Sequence, residues 1–287
     1  MKKNILSYSS IILMMLLFLN CGNQKPPQQS TAGTCDWKLG IALWTFHTVN
    51  FPQSLSMVDS CNVRFIEPNT FHKTGADLKD SLLGDLSPAG IERVIQMARE
   101  KNLTIGSIYL AGGKNIAVWK KGFDIAKQMN VAYVTAEPPV DMWDSIDSLA
   151  GAYHLKVAIH EHWKEFSHYW NPDTTLLALQ NHPNFRVCAD LGHWPKSGID
   201  PLDAVKKLAG HILGVHLKDI AAYNDITLKD VPVGTGVVKF PEIFAELKKQ
   251  NFNGYIYIER DSIEHGGNVL SVKQEVKYYN EQIGKLK

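Results

Sequence analysis

Apolar runs along this chain repeatedly end on groups that can do chemistry: Glu67, Tyr109, Glu137, His160 with His162, Asp190 with His193, His216 followed by Lys218, and Glu259. Packing does not explain the pattern, because a buried charge costs several kcal/mol unless it is paired or bound to a metal. A shared divalent cation would supply the missing partner. Carboxylate oxygens mixed with imidazole nitrogens, with no thiolate among them, suit one Mn, Co, Zn, Mg or Fe ion in an open site better than a structural Zn.

The elements that must position these groups alternate in type. Short β-like runs are predicted at 38–43, 63–66, 104–109, 132–135, 156–159, 186–189, 213–217 and 255–258. Amphipathic helices are predicted between and after them at 52–60, 88–101, 117–129, 144–153, 174–180, 201–208, 241–251 and 269–284. In the second helix Ile91, Val94, Ile95 and Ala98 recur at helical spacing behind Ser87 and Pro88, an N-cap and a first-turn proline. Strand and helix pairs in this number, with no Gly-rich nucleotide loop after the first strand, fit an α/β fold of the closed (β/α)8 TIM barrel type better than an open doubly wound sheet. In such a barrel the catalytic groups come from the C-terminal ends of the strands, which is where the residues above fall.

Four motifs follow one another at predicted strand ends: Asp190-Leu191-Gly192-His193, GVHLKD at 214–219, VPVGTG at 231–236 running on to Phe240, and GYIYIE at 254–259. Together they resemble the sugar phosphate isomerase/epimerase family of xylose isomerase-like TIM barrels, and the resemblance spans nearly the whole chain after its N-terminal segment. It implies that Asp190, His216 and Glu259 are metal ligands. Where the family commonly places a fourth ligand, a Glu at the end of strand five, this chain has His160-Glu161-His162. The resemblance favours His160 as that ligand. Strand alternation puts His160 and His162 on one face and Glu161 on the other, so the two imidazoles divide into ligand and proton-transfer base in either order.

Further residues have two readings each. Glu137 and Glu67 bind substrate, act as a base or ligate, or else pair with a lysine at the rim. Lys218 lies on the same side as His216 and would stabilise an enolate oxygen, with a surface salt bridge as the alternative for it and for Asp219. His193 joins the expected catalytic set of His162, Glu137 and Lys218. The cluster Trp44-Thr45-Phe46-His47 suits a sugar pocket or simple rim packing, and Trp143, Trp163, Trp170 and Trp194 fall in loops on the active face. Gly234 and Gly236 let backbone approach a ligand, but no Arg/Lys cluster surrounds their loop, which disfavours a phosphate clamp.

The chemistry these groups imply is removal of a proton next to a ketone of an unphosphorylated sugar through an enediolate. The expected activity is that of an isomerase or epimerase. The alternatives are a lyase or dehydratase acting on a keto-sugar or 3-keto-glycoside, and a non-catalytic sugar-binding lipoprotein. With 30 basic and 29 acidic residues in 287, the chain has no field to attract nucleic acid. Residues 1–21 carry Lys2 and Lys3, then an apolar run ending at Cys21, and resemble a bacterial lipoprotein signal. Residues 22–35, rich in Gln, Pro, Ser, Thr and Gly, read as a flexible tether to a single barrel domain at 36–287. The expectation is an exported cell-envelope lipoprotein whose contact with membrane is only through its N-terminal lipid. Export would permit a Cys35 to Cys61 bridge, while Cys61 and Cys188 also read as small core residues.

Overall fold

The computed structural model describes residues 35–286. The signal and tether expected from the sequence therefore lie outside the described residues, apart from Cys35, which packs against the core. Parallel strands run Lys38–Ala42, Phe65–Glu67, Thr104–Ile105 with Ser107–Leu110, Tyr133–Ala136, Val157–His160, Phe185–Asp190, Ile212–Leu217 and Tyr255–Ile258. The first strand pairs with the second and the eighth, and neighbours pair in order around the rest. The third segment closes the ring. Its first half, Thr104–Ile105, pairs with the second strand and its second half, Ser107–Leu110, with the fourth. The chain thus changes partners at Gly106, and the expected barrel architecture is present.

Helices follow their strands close to the predicted bounds, and local chemistry shows why. Ser87 Oγ accepts the Gly90 amide at 3.3 Å to start Pro88–Glu100, whose Ile91, Val94, Ile95 and Ala98 are buried against the sheet. Asn50 and Gln53 form a reciprocal capping box at the head of Phe51–Ser60. Asn115 caps Ile116–Met129, and Asn130 ends it in the left-handed conformation.

Inside the ring, the lower part of the barrel is filled rather than hollow. Tyr133, Ala158 and Cys188 form a cluster with Tyr255 against it, and Tyr255 stacks on Tyr257 at 5.8 Å. Large rings fit because the facing positions are glycines: a Cβ on Gly106 would lie 2.3 Å from Tyr255, and one on Gly214 would lie 2.2 Å from the Tyr133 hydroxyl. This plug shuts the N-terminal end of the barrel and leaves the polar strand ends facing one mouth. Cys35, Cys61 and Cys188 are free thiols, so the bridge considered between Cys35 and Cys61 is not formed; Cys61 and Cys188 are buried, small core residues.

Candidate active site

At the C-terminal mouth the fifth, sixth and seventh strands and the residue after the eighth bring His160, Asp190, His216 and Glu259 together. One ligand atom from each lies within 4.8 Å of the others, and all four side chains are buried. His160 Nε2 is 3.4 Å from Asp190 Oδ2 and 3.9 Å from Glu259 Oε2, and neither ring nitrogen of His160 has a hydrogen-bond partner. Asp190 Oδ2 has no aligned hydrogen bond, and its nearest cation is the Lys218 ammonium at 3.0 Å. The Asp190 carboxylate is aimed by its other oxygen, which accepts the Gly192 and His193 amides at 2.9 and 3.1 Å.

His216 is oriented from behind. Its Nε2 lies 2.8 Å from Glu67 Oε1, while Ser107 and Thr135 donate their hydroxyls to Glu67 Oε2. A proton on Nε2 leaves the Nδ1 lone pair facing Glu259 Oε2 at 2.6 Å. Two acceptors then oppose each other, so a second proton or a metal ion has to lie between them; against burial, Cys188, Glu259 and Glu67 hold the His216 pKa well above the ordinary imidazole range. Burial works against protonating His160, yet Asp190, Glu137 and Glu259 outweigh it and hold its pKa well above the ordinary imidazole range. Burial also works against ionising Glu259, but His216, Lys218 and His160 keep its carboxyl well below the usual range. The cluster is therefore built to take up positive charge. Oxygen and nitrogen donors at this spacing, with orphaned lone pairs and a carboxylate behind the histidine, fit one divalent ion with bonds of about 2.0–2.2 Å.

The remaining expected residues divide into two groups. His162 lines the cavity, and its Nδ1 is in direct hydrogen-bond contact with Glu137 Oε1; Ser167 donates to the other Glu137 oxygen. Burial tends to raise the Glu137 pKa, but His160 and His162 pull it down to about 2, so the carboxylate stays ionised. Among the described residues, Glu67 and Glu137 pair with His216 and His162 rather than with a rim lysine. The structure thus seats His160 in the four-residue cluster and gives His162 to Glu137, although His160 also lies near enough to Glu137 and His162 to form a second such group.

Lys218 and His193 sit behind the cluster and do not line the cavity. Lys218 Nζ is 3.0 Å from Asp190 Oδ2, 3.4 Å from Glu259 Oε2 and 2.9 Å from Asp261 Oδ1. Burial would lower its pKa, but Asp190, Asp261 and Glu259 hold it well above the usual range, so it is a buried ammonium. Burial and Lys218 together keep His193 neutral despite Asp190, and its Nε2 accepts from Lys218 at 3.0 Å. Both are positioning residues for the ligand carboxylates, and the surface-salt-bridge alternative for Lys218 does not hold.

Two residues mattered more than their sequence context suggested. Asp219 is buried, not a surface partner: its carboxylate accepts the amides of Ile220, Gly234, Gly236 and Val238 at 2.8–3.1 Å. Those glycine amides are therefore spent on an internal carboxylate, which removes the phosphate clamp. Glu161 turns away from the mouth, as alternation required, and its Oε1 accepts the Asp190 amide at 2.8 Å. Nothing in the sequence signalled either role, because the partner in each is a backbone N–H.

A cavity of about 460 Å³ opens over His160, His162, Glu67 and Glu259, walled by Trp44, Phe71, Tyr109, Trp163 and Phe166. Trp44 and Trp163 thus serve the pocket, whereas Trp194 is core and Trp143 is bonded to the Tyr169 hydroxyl at 2.6 Å. Trp170 packs under Lys164.

Fold and site together define a class. The family of xylose isomerase-like TIM barrels matches residues 57–283, and this chain belongs to it, as the four motifs had indicated. Among curated relatives, inosose dehydratase of Clostridium perfringens is 26% identical over 192 residues, covering 58% of this chain and 64% of that protein. The match thus spans a little under two thirds of that relative's length. A Parabacteroides distasonis protein of known structure is 30% identical with a TM-score of 0.68, covering 86% of this chain and 99% of its own. The IOLI protein, solved with a bound zinc atom, superposes with a TM-score of 0.71 at 17% identity over 87% of this chain and 99% of that one.

Proposed function

We propose that this chain is a metal-dependent enzyme that removes a proton next to the ketone of an unphosphorylated keto-sugar and then expels a β-leaving group, a dehydratase or lyase reaction. The observation that carries the reading is the pairing of His162 with Glu137 at the cavity wall, beside but apart from the four-residue cluster. Glu137 accepts the His162 Nδ1 proton and leaves Nε2 free as a base, the arrangement general-base catalysis requires. His160, Asp190, His216 and Glu259 would hold the ion, which when bound supplies charge stabilisation at the substrate's carbonyl oxygen.

Epimerisation needs a second base on the opposite face of the substrate carbon. The family's strand-five glutamate could serve there, but this chain has His160 instead, and Lys218 and His193 are shut behind the cluster. Elimination needs one base and a departing group, so it ranks above the isomerase or epimerase outcome. The dehydratase name of the Clostridium relative supports the same choice, and the zinc of the IOLI structure supports a bound divalent ion. All of the expected ligands are present, which disfavours a retired binding protein.

The test is incubation of inososes, keto-sugars and 3-keto-glycosides with the Mn-loaded protein in deuterated water. An unsaturated product with a released group is expected, and His162→Ala should slow it by about 100-fold or more. Deuterium in an inverted or rearranged sugar would replace elimination by epimerisation or isomerisation. Absence of any C–H exchange with metal bound would sink proton abstraction altogether. At the N-terminus the proposal is lipidation of Cys21 and residence in the cell envelope. Mass spectrometry of the mature N-terminal peptide should find a diacylglyceryl cysteine, and a free terminus further along would overturn it.

A further inference from the structure

The cavity has an inner polar zone, used above, and an outer zone that the reaction leaves unexplained. Two series of aromatic rings line it and converge on His160. In one, Trp44 meets Phe71 at 5.8 Å, Phe71 meets Tyr109 at 6.0 Å, and Tyr109 meets His160 at 5.7 Å, each edge to face. In the other, Phe166 stacks on Trp163 at 5.0 Å and lies 4.9 Å from the His162 ring, which is 4.8 Å from His160.

One member of each series is left in water: Phe71 is 38% exposed and Phe166 is 66% exposed. Apolar rings of this size are stabilised by burial, so two of them held open on one pocket mark a surface with something to cover it. The volume of about 460 Å³ also exceeds what a single sugar ring at the inner cluster occupies. A second sugar ring would bring hydroxyls that each need a hydrogen-bond partner; Thr227, Lys229 and Ser262 also line the cavity, but at Phe71 and Phe166 the wall supplies none. A flat apolar ring needs only faces and edges to pack on, which Trp44, Phe71, Trp163 and Phe166 provide.

We infer that this outer zone is a subsite for an aromatic group carried by the sugar, so that the enzyme takes aryl glycoside-like substrates in preference to free monosaccharides or oligosaccharides. The inference rests on the sugar reading of the inner zone, but binding alone tests it and no turnover is required. Isothermal titration of the Mn-loaded protein with phenyl β-glucoside, methyl β-glucoside and cellobiose is the experiment. Phenyl β-glucoside should bind about tenfold more tightly than the methyl compound. Phe166→Ala, at an exposed position that the fold does not need, should reduce that preference, read as the ratio of the two affinities in the same variant, to about threefold or less. Equal affinity for the phenyl and methyl compounds, cellobiose binding as tightly as phenyl glucoside, no measurable phenyl glucoside binding, or a preference that survives Phe166→Ala would each overturn it. Failure of proton abstraction would show in the deuterium experiment instead and would leave this titration readable.

Discussion

Glu259 and Arg260 are adjacent in sequence and belong to two buried charge clusters of opposite design. On the mouth side, Glu259 joins Asp190, His160 and His216, and neither ring nitrogen of His160 has a hydrogen-bond partner. On the other side Arg260 meets Asp230, Glu264 and Glu275, the latter two at 3.0 Å, and Asp230 also accepts the Ser262 amide at 2.7 Å. The second cluster carries its own cation, covalently attached. The first has Lys218, whose ammonium is divided among Asp190, Glu259 and Asp261 behind the cluster, while His160 and Glu259 face the cavity. A network in which a fixed guanidinium bridges several elements ties them together, whereas ligand atoms gathered at the floor of an open cavity form a receptor for a mobile cation.

The sharpest way to break this comparison is to change the two neighbours separately. Glu259→Gln should reduce turnover by about 1000-fold or more, and metal content with it, while thermal unfolding stays near that of the parent, because a carboxylate is removed from a crowd of carboxylates. His216→Ala should behave alike. Retained activity in either variant, measured together with bound metal, would remove the ligand assignment. Arg260→Met should do the reverse: it strands Asp230 and Glu275 in the interior and should cost about 3–5 kcal/mol in denaturant unfolding. Metal binding by whatever fraction remains folded should be kept. A mild loss would mean that the Arg260 cluster is not a structural tie.

The two clusters were not equally legible in the sequence. Each ligand ends an apolar strand, so a period-2 run followed by a carboxylate or imidazole was enough to locate Asp190, His216 and Glu259 and the barrel around them. Choosing between His160 and His162 was beyond that signal, since both point to one face; Glu137 and the sixth strand separate them in space. Arg260 reaches Glu275 across a loop to the last helix, Val269–Ile283, and no spacing rule joins a strand end to a residue halfway along the next helix. Asp219 was misread for a related reason, because backbone amides of a later loop carry no residue-type signature. The third strand read as one run, 104–109; it is divided at Gly106, where the chain passes from one neighbour to the next around the closed ring.

A smaller effect is expected one step behind the ligands. Glu67 touches His216 Nε2 at 2.8 Å and fixes which nitrogen faces the cluster. Glu67→Gln keeps the size but can donate where it formerly accepted, so metal affinity should fall by about 10–100-fold. Competition with a chelator measures it directly. The Arg260 side offers no counterpart, and an unchanged affinity would show that His216 is held by packing alone.

The mildest prediction concerns how the Arg260 cluster titrates. Three carboxylates share one guanidinium, so negative charge exceeds positive by two, and Glu275 is the member with a buried oxygen lacking any partner. Burial is the main cause that lifts its pKa from 4.5 to about 7, against the pull of Arg260. The folded protein therefore keeps the Glu275 proton to higher pH than the unfolded chain does. Between those two values the native state binds more protons, so stability from this residue is greatest at the acidic end and declines as pH rises toward 7. The decline should amount to about 1–3 kcal/mol and should level off above that range. Urea midpoints measured across it should show the slope in the parent protein and a flatter profile in Glu275→Gln, which stays neutral throughout. A slope of the same size in both would place the titrating group elsewhere and would leave Arg260 shared evenly among its three partners.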